Sequence, residues 1–231
     1  MKINQLKTTM SLAAAMGTLG LATSAQAATP ITVLEHSFEG AKALGTWTAS
    51  PNGVPGDSIP AVPSPWITTG GGTGWTIASQ YSGGIPDGDI YAYMNAAGNT
   101  RQTLTATFQA DTDYTLTVAT GWRDDLAATL SYSTYPGYGI KLYAGATLIA
   151  SDDNIVSGAP ASDSWKDATA TYSYDAGDAG LVGQALEIRL IGYGVQSNYD
   201  NVRLDATAVP EPTTTALLGL GGLALILRRR K

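Results

Sequence analysis

A two-residue alternation of apolar and polar side chains runs through the middle of this chain, and no long stripe at helical spacing competes with it. Period two places successive side chains on opposite faces of a sheet. From Arg101 to Phe108, Leu104, Ala106 and Phe108 share one face while Thr103, Thr105 and Thr107 share the other. The same pattern recurs in Tyr114-Leu116-Val118, Ala168-Ala170-Tyr172-Tyr174, Leu186-Ile188-Leu190 and Val202-Leu204. Ile31 to Phe38, Trp75 to Ala78, Ile90 to Asn95, Gly139 to Tyr143 and Thr147 to Ser151 are further strand candidates. The last two, separated by Ala144-Gly145-Ala146, predict a hairpin.

Short strands joined by Gly, Pro and Asp turns predict an all-β fold, an antiparallel two-sheet β-sandwich of the jelly-roll, galactose-binding-like kind. The loop-rich part is Ser50 to Ser64, with Gly70 to Gly74 after it. A 44% apolar share can fill a core, so disorder is excluded. Only 14% of residues are charged, against about 25% in an ordinary globular domain. Hydroxyls and amides therefore cover much of the surface. The chain contains no Cys, which excludes disulfides, zinc-cysteine sites and a thiol nucleophile.

The net charge of −6 hides an uneven distribution. Between Ala28 and Val209 there are 7 basic and 18 acidic residues, a balance of −11. Such a body repels a phosphate backbone, so nucleic acid is not an expected partner. The remaining cations sit at the ends. Lys2 and Lys7 precede an apolar run from Met10 to Leu21 and then Ala25-Gln26-Ala27, which reads as a signal peptide over residues 1–27, helical at its centre and cut after Ala27. At the other end Val209-Pro210-Glu211-Pro212 leads into 15 uncharged residues, Thr213 to Leu227, then Arg228, Arg229, Arg230 and Lys231. As a helix that stretch reaches about 22 Å, short for a membrane span and suited to a temporary anchor. Its basic end favours the cytoplasmic side and leaves the body, residues 28–208, outside.

Residues 209–231 resemble a PEP-CTERM sorting signal: the Pro-Glu-Pro motif, the Gly-rich apolar helix and the basic tail stand in the expected order. The resemblance implies an exosortase as processing partner and transfer to the cell surface or exopolysaccharide matrix. A second resemblance is carried by Ser37-Phe38-Glu39, Pro86-Asp87-Gly88-Asp89, the strands Gln102 to Phe108 and Asp113 to Val118, and Tyr199-Asp200-Asn201-Val202-Arg203-Leu204. These segments are similar to the carbohydrate-binding-like jelly-roll ectodomains found among PEP-CTERM proteins. That likeness implies a structural calcium between an acid after the early Phe and an acid in the closing strand, positions matched by Glu39 and Asp200.

The residues supply little catalytic machinery. His36 is the sole histidine, shares strand parity with Leu34 and Phe38, and lacks a nucleophile elbow to serve. Asp124-Asp125 and Asp152-Asp153 read as turn acids rather than a hydrolase pair. Asp200 has the parity of Val202 and Leu204 and so is expected to face the core. There a carboxylate must be metal-bound, capped by amides or paired with Arg203. Calcium suits an exported sandwich because it accepts six to eight oxygen ligands. Sugar binding would fall to Trp66, Trp75, Tyr81 and Trp122, with Tyr135 and Tyr138 nearby, although a Phe-poor core needs the same rings. The sequence therefore predicts an exported, non-catalytic surface or matrix protein associated with exopolysaccharide. A carbohydrate-binding module is the alternative and a glycoside hydrolase the third reading.

Overall fold

The computed structural model describes residues 26–43, 58–59, 63–70, 73–77, 81–96, 98–123, 134–154 and 156–209. Nearly all of the expected signal segment and of the sorting tail, and Asp124-Asp125, lie outside the described residues. Among the described residues no helix is long and apolar enough to cross a membrane.

Twelve strands account for most of the described chain: β1 Thr29–Ile31, β2 Ser58–Ile59, β3 Ile67–Thr69, β4 Thr73–Ile77, β5 Ile90–Met94 and β6 Asn99–Thr107 come first. β7 Thr112–Trp122, β8 Gly139–Ala144, β9 Thr147–Asp152, β10 Ser164–Tyr172, β11 Ala185–Ile191 and β12 Ser197–Ala208 follow. Among the described residues two short 3-10 turns, Glu39–Ala43 and Ala176–Leu181, are the helical elements. Sheet A runs β10-β7-β12-β5-β4-β2, with β1 added along β12, and sheet B runs β3-β6-β11-β8-β9. All pairs are antiparallel, and β8 and β9 form the expected hairpin, turning through Gly145 at φ +58°.

Alternation sets the two faces of each sheet. Leu116, Val118, Ala168, Ala170 and Leu204 turn inward from sheet A, and Leu104, Ile140, Leu142, Ile188 and Leu190 turn inward from sheet B. Phe38 closes one side of this core, 4.5 Å from the ring of Trp75 and 5.4 Å from that of Trp66.

Three local readings differ from the sequence expectation. The first strand is only three residues long, and Leu34 to Ser37 form a turn because Phe38 N–H closes onto the Glu35 carbonyl at 3.1 Å. His36 is thus an exposed turn residue, 3.4 Å from Asp87, rather than a half-buried strand residue. Within β12, Asp200 pairs with Ala119 and Arg203 with Thr117, so Asn201 and Val202 together oppose Val118. This β-bulge inserts one extra residue, and Asn201 takes the left-handed backbone, φ +47°, that such a kink needs. Parity does not carry across it: Tyr199, not Asp200, shares the core face with Val202 and Leu204.

Tyr199 fixes the distance between the sheets. Fully buried, it crosses from sheet A so that its hydroxyl accepts from Gly139 N at 3.0 Å and donates to the Ile191 carbonyl at 2.5 Å, both in sheet B. Tyr199→Phe removes both hydroxyl bonds between the sheets and is expected to cost about 1–3 kcal/mol in denaturant unfolding. A loss below the measurement error would show that the hydroxyl is not a tie.

Candidate functional site

The outward face of sheet A holds an unusual row. Trp165, Gly121, Asn198, Tyr93 and Gly74 stand level across β10, β7, β12, β5 and β4. The parallel row one residue along contains Trp75, Ala92 and Tyr199 and belongs to the core, so the Trp165 row faces the other way. A solvent face would carry polar, exposed groups. Here Asn198 is 1% exposed, and its neighbours Tyr81 and Tyr91 are buried too.

Three rings crowd this patch. Tyr81 lies 5.3 Å from Tyr91, edge-on, and 4.7 Å from Trp165, while Tyr91 and Trp165 are 5.4 Å apart. Gly121 makes the arrangement possible, since a Cβ there would collide with the Tyr81 hydroxyl and the Trp165 ring. The Asn198 side chain donates Nδ2–H to the Tyr81 hydroxyl at 2.7 Å. Burial pushes the Tyr81 phenol well above its ordinary range, more than Arg123 nearby pulls it down, so it stays neutral and keeps its own proton to donate. Arg123 is itself buried and donates to Gln196 Oε1 at 3.1 Å.

Two atoms of the patch are buried without a partner: the carbonyl oxygen of Asn198 and the indole N–H of Trp165. They flank Gly121, one an acceptor and the other a donor. Buried polar groups normally find partners, and each one left unmade costs about 1–3 kcal/mol. The patch thus holds one unpaired acceptor and one unpaired donor beside three packed rings.

A second constellation surrounds the bulge. Asp200 is fully buried; its Oδ2 accepts from Asp87 N at 2.9 Å and its Oδ1 from Asn201 N at 2.7 Å. Glu39 Oε1 accepts from Asp89 N and Ile90 N, both at 2.7 Å. Gly88, at φ +65°, lets this loop close, since a Cβ there would strike the Glu39 carboxylate. Burial, reinforced by the charges of Asp87 and Glu39 and opposed by the two amides, raises the Asp200 carboxyl from 3.8 to about 7. Arg203 does not cap it and instead pairs with Asp167 at 2.6 Å. Among the described residues no three His, Asp or Glu side chains converge as metal ligands. Glu39 and Asp200 could hold a cation only with help from backbone oxygens, and each Asp200 oxygen retains a lone pair for one.

The aromatic candidates separate. Trp66 and Trp75 pack in the core at 2% and 1% exposure, and Trp66 donates Nε1–H to the Glu35 carbonyl at 3.0 Å. Trp122 is half-buried against Tyr135 with ring centroids 5.7 Å apart, and Tyr138 is buried, donating to Asp152 at 2.8 Å. Tyr81 alone of the six joins the patch over Gly121. Its companions Tyr91, Trp165 and Asn198 were not singled out from the sequence. The available signal was position: Trp165 has the parity of Thr169 and Thr171, an aromatic on a polar face.

Residues 29–205 match the family model HpiC1-like, described as HpiC1 cyclase, and residues 208–231 match the PEP-CTERM protein-sorting motif. The motif marks an exported protein, sorted to the cell surface and processed by an exosortase. The Stig cyclase Fisc from Fischerella sp. TAU, in complex with (3Z)-3-(1-methyl-2-pyrrolidinylidene)-3H-indole, is similar at 25% identity and TM-score 0.61, covering 80% of this chain and 100% of that one. An apo cyclase from Fischerella sp. aligns at 24% identity and TM-score 0.61, over 80% of this chain and 98% of that one. A carbohydrate-binding module, TmCBM61, in complex with β-1,4-galactotriose, is more distant: 12% identity, TM-score 0.44, 76% of this chain and 98% of that one. No curated protein matches the chain. With the family model covering nearly all of the two-sheet sandwich, the chain belongs to the HpiC1-like family and ends in a PEP-CTERM sorting motif.

Proposed function

We propose that the protein is an exported, non-catalytic binding protein of the cell surface or exopolysaccharide matrix, holding a ring-bearing ligand against the Tyr81, Trp165 and Asn198 patch that stands over Gly121. The observation that carries this reading is the unpartnered pair, Asn198 Oδ1 and Trp165 Nε1–H, on either side of that glycine. The groups around them, Tyr81, Tyr91, Trp165 and Asn198, are neutral, so they bind and orient rather than carry protons.

A catalytic reading is the alternative, and two observations favour it. The family is described by a cyclase, and Asp200 is raised to about 7, where a carboxyl exchanges its proton at neutral pH. Against it stands the engagement of both Asp200 oxygens by the amides of residues 87 and 201.

We also assign to Glu39 and Asp200 one structural Ca²⁺ that braces the 3-10 turn against the bulge. A cation there would offset the mutual repulsion of Glu39, Asp87 and Asp200, and it would supply charge compensation without taking part in any reaction.

Titration with neutral oligosaccharides and with indole-bearing compounds is expected to change Trp fluorescence. Asn198→Ala and Trp165→Phe are each expected to weaken that response roughly tenfold, the scale of one or two lost polar contacts. No response to either class would refute the binding site, and a ring-closed product found by chromatography would refute the non-catalytic reading.

Calcium added after chelation is expected to raise the melting temperature, and Asp200→Asn to abolish the shift; an unchanged Tm overturns the calcium assignment. Without calcium, the folded state holds a proton on Asp200 that the unfolded chain gives up near pH 4. Stability of the chelated protein should therefore fall as pH rises from about 4 to about 7. Asp200→Asn should remove that slope.

A further inference from the structure

We infer that the outer face of sheet B is a docking surface for a linear acidic polysaccharide, gripped by Arg101, Arg189 and Lys141. This rests on the export of the protein but not on the ligand site over Gly121, which lies on the other sheet.

The three cations stand level in adjacent strands, Arg101 on β6, Arg189 on β11 and Lys141 on β8. They are three of the seven basic residues in a body that carries 18 acidic ones. The neighbouring row of Gln102, Ile188, Leu142 and Ala150 is buried, so the cation row faces outward. Like charges directly opposite each other on a sheet are destabilising. Nothing inside the fold relieves the outer two: among the described residues Arg101 and Lys141 have no carboxylate partner. Arg189 is set in place, its guanidinium 3.9 Å over the Tyr143 ring and its Nε donating to Glu187 at 2.5 Å. Glu187 in turn accepts from the Thr103 hydroxyl at 3.0 Å.

The row crosses the strands, so its cations step at about the 4.8 Å spacing between strands. An extended chain laid across the sheet, bearing a carboxylate on successive sugar rings, meets them in turn. Ile67, 53% exposed, and Ser151 continue the same row at its two ends, and Leu148, 44% exposed, stands beside Tyr143. Apolar patches and hydroxyls of this kind suit sugar rings. A phosphate-bearing bilayer suits the molecule less well, because a flat charged surface also faces the acidic rest of the body, which a single chain lying along the row does not.

The test is binding of the full chain to polygalacturonate, with dextran and phosphatidylglycerol vesicles as the comparison probes. The expected result is salt-sensitive binding to polygalacturonate alone, weakened roughly tenfold in the double variant Arg101→Gln/Lys141→Gln and retained in Arg101→Lys/Lys141→Arg. The double variant should melt no lower than the parent, since a like-charge contact has been removed, and should keep its fluorescence response to ligands over Gly121. Absent binding, equal binding to dextran, equal binding by the double variant, or binding to the vesicles with the same dependence on these residues would each overturn the proposal. Loss of the Gly121 response in the parent, with polygalacturonate binding intact, would count against the ligand site alone.

Discussion

The bulge in β12 decides which side chains of the closing strand serve the core and which serve the surface. Before it, Tyr199 points inward and ties the two sheets through Gly139 and Ile191. After it, Val202 and Leu204 continue the core while Arg203 turns out to Asp167. At the kink, Asp200 is held beneath the loop that contains Asp87, Gly88 and Asp89. Without the extra residue, every side chain on one side of it would change faces. The Val202 N–H also bonds to the His36 carbonyl at 2.8 Å, so the turn that leads to Phe38 and Glu39 is anchored on the bulge.

The two outward faces differ in chemistry. On sheet A, buried rings and an amide gather over a glycine, and the chemistry is neutral and directional. On sheet B the outward face carries a row of half-buried cations on an otherwise acidic body. Both surfaces stand on the same core, and neither depends on a disulfide, since the chain has no cysteine. Stability therefore rests on tight packing, on the Tyr199 tie and on whatever compensates Asp200.

Much of the fold was legible because period two survives wherever one face is buried: β6, β7, β8, β9, β10 and β11 overlap their expected segments. β2 and β3, of two and three residues, are too short to show a period. The turn at Leu34 to Ser37 was read as strand because its apolar spacing mimics one. The site was less legible. In β5, Ile90-Tyr91-Ala92-Tyr93-Met94 is apolar on both sides, the mark of a strand covered on both faces. That pattern did not say what covers it. Trp66 and Trp75 carried the right chemistry for sugar stacking, yet the core needed their volume, as a chain with only two Phe would suggest. The cation row on sheet B required register, which no single strand contains.

The most direct test of ligand binding over Gly121 is the indole N–H resonance of Trp165 in a ¹⁵N-labelled sample, assigned by its loss in Trp165→Phe. At saturation with a ligand that quenches Trp fluorescence, this resonance should move as its proton gains an acceptor, while those of the core residues Trp66 and Trp75 stay in place. A saturated protein in which the Trp165 resonance is unmoved would contradict it.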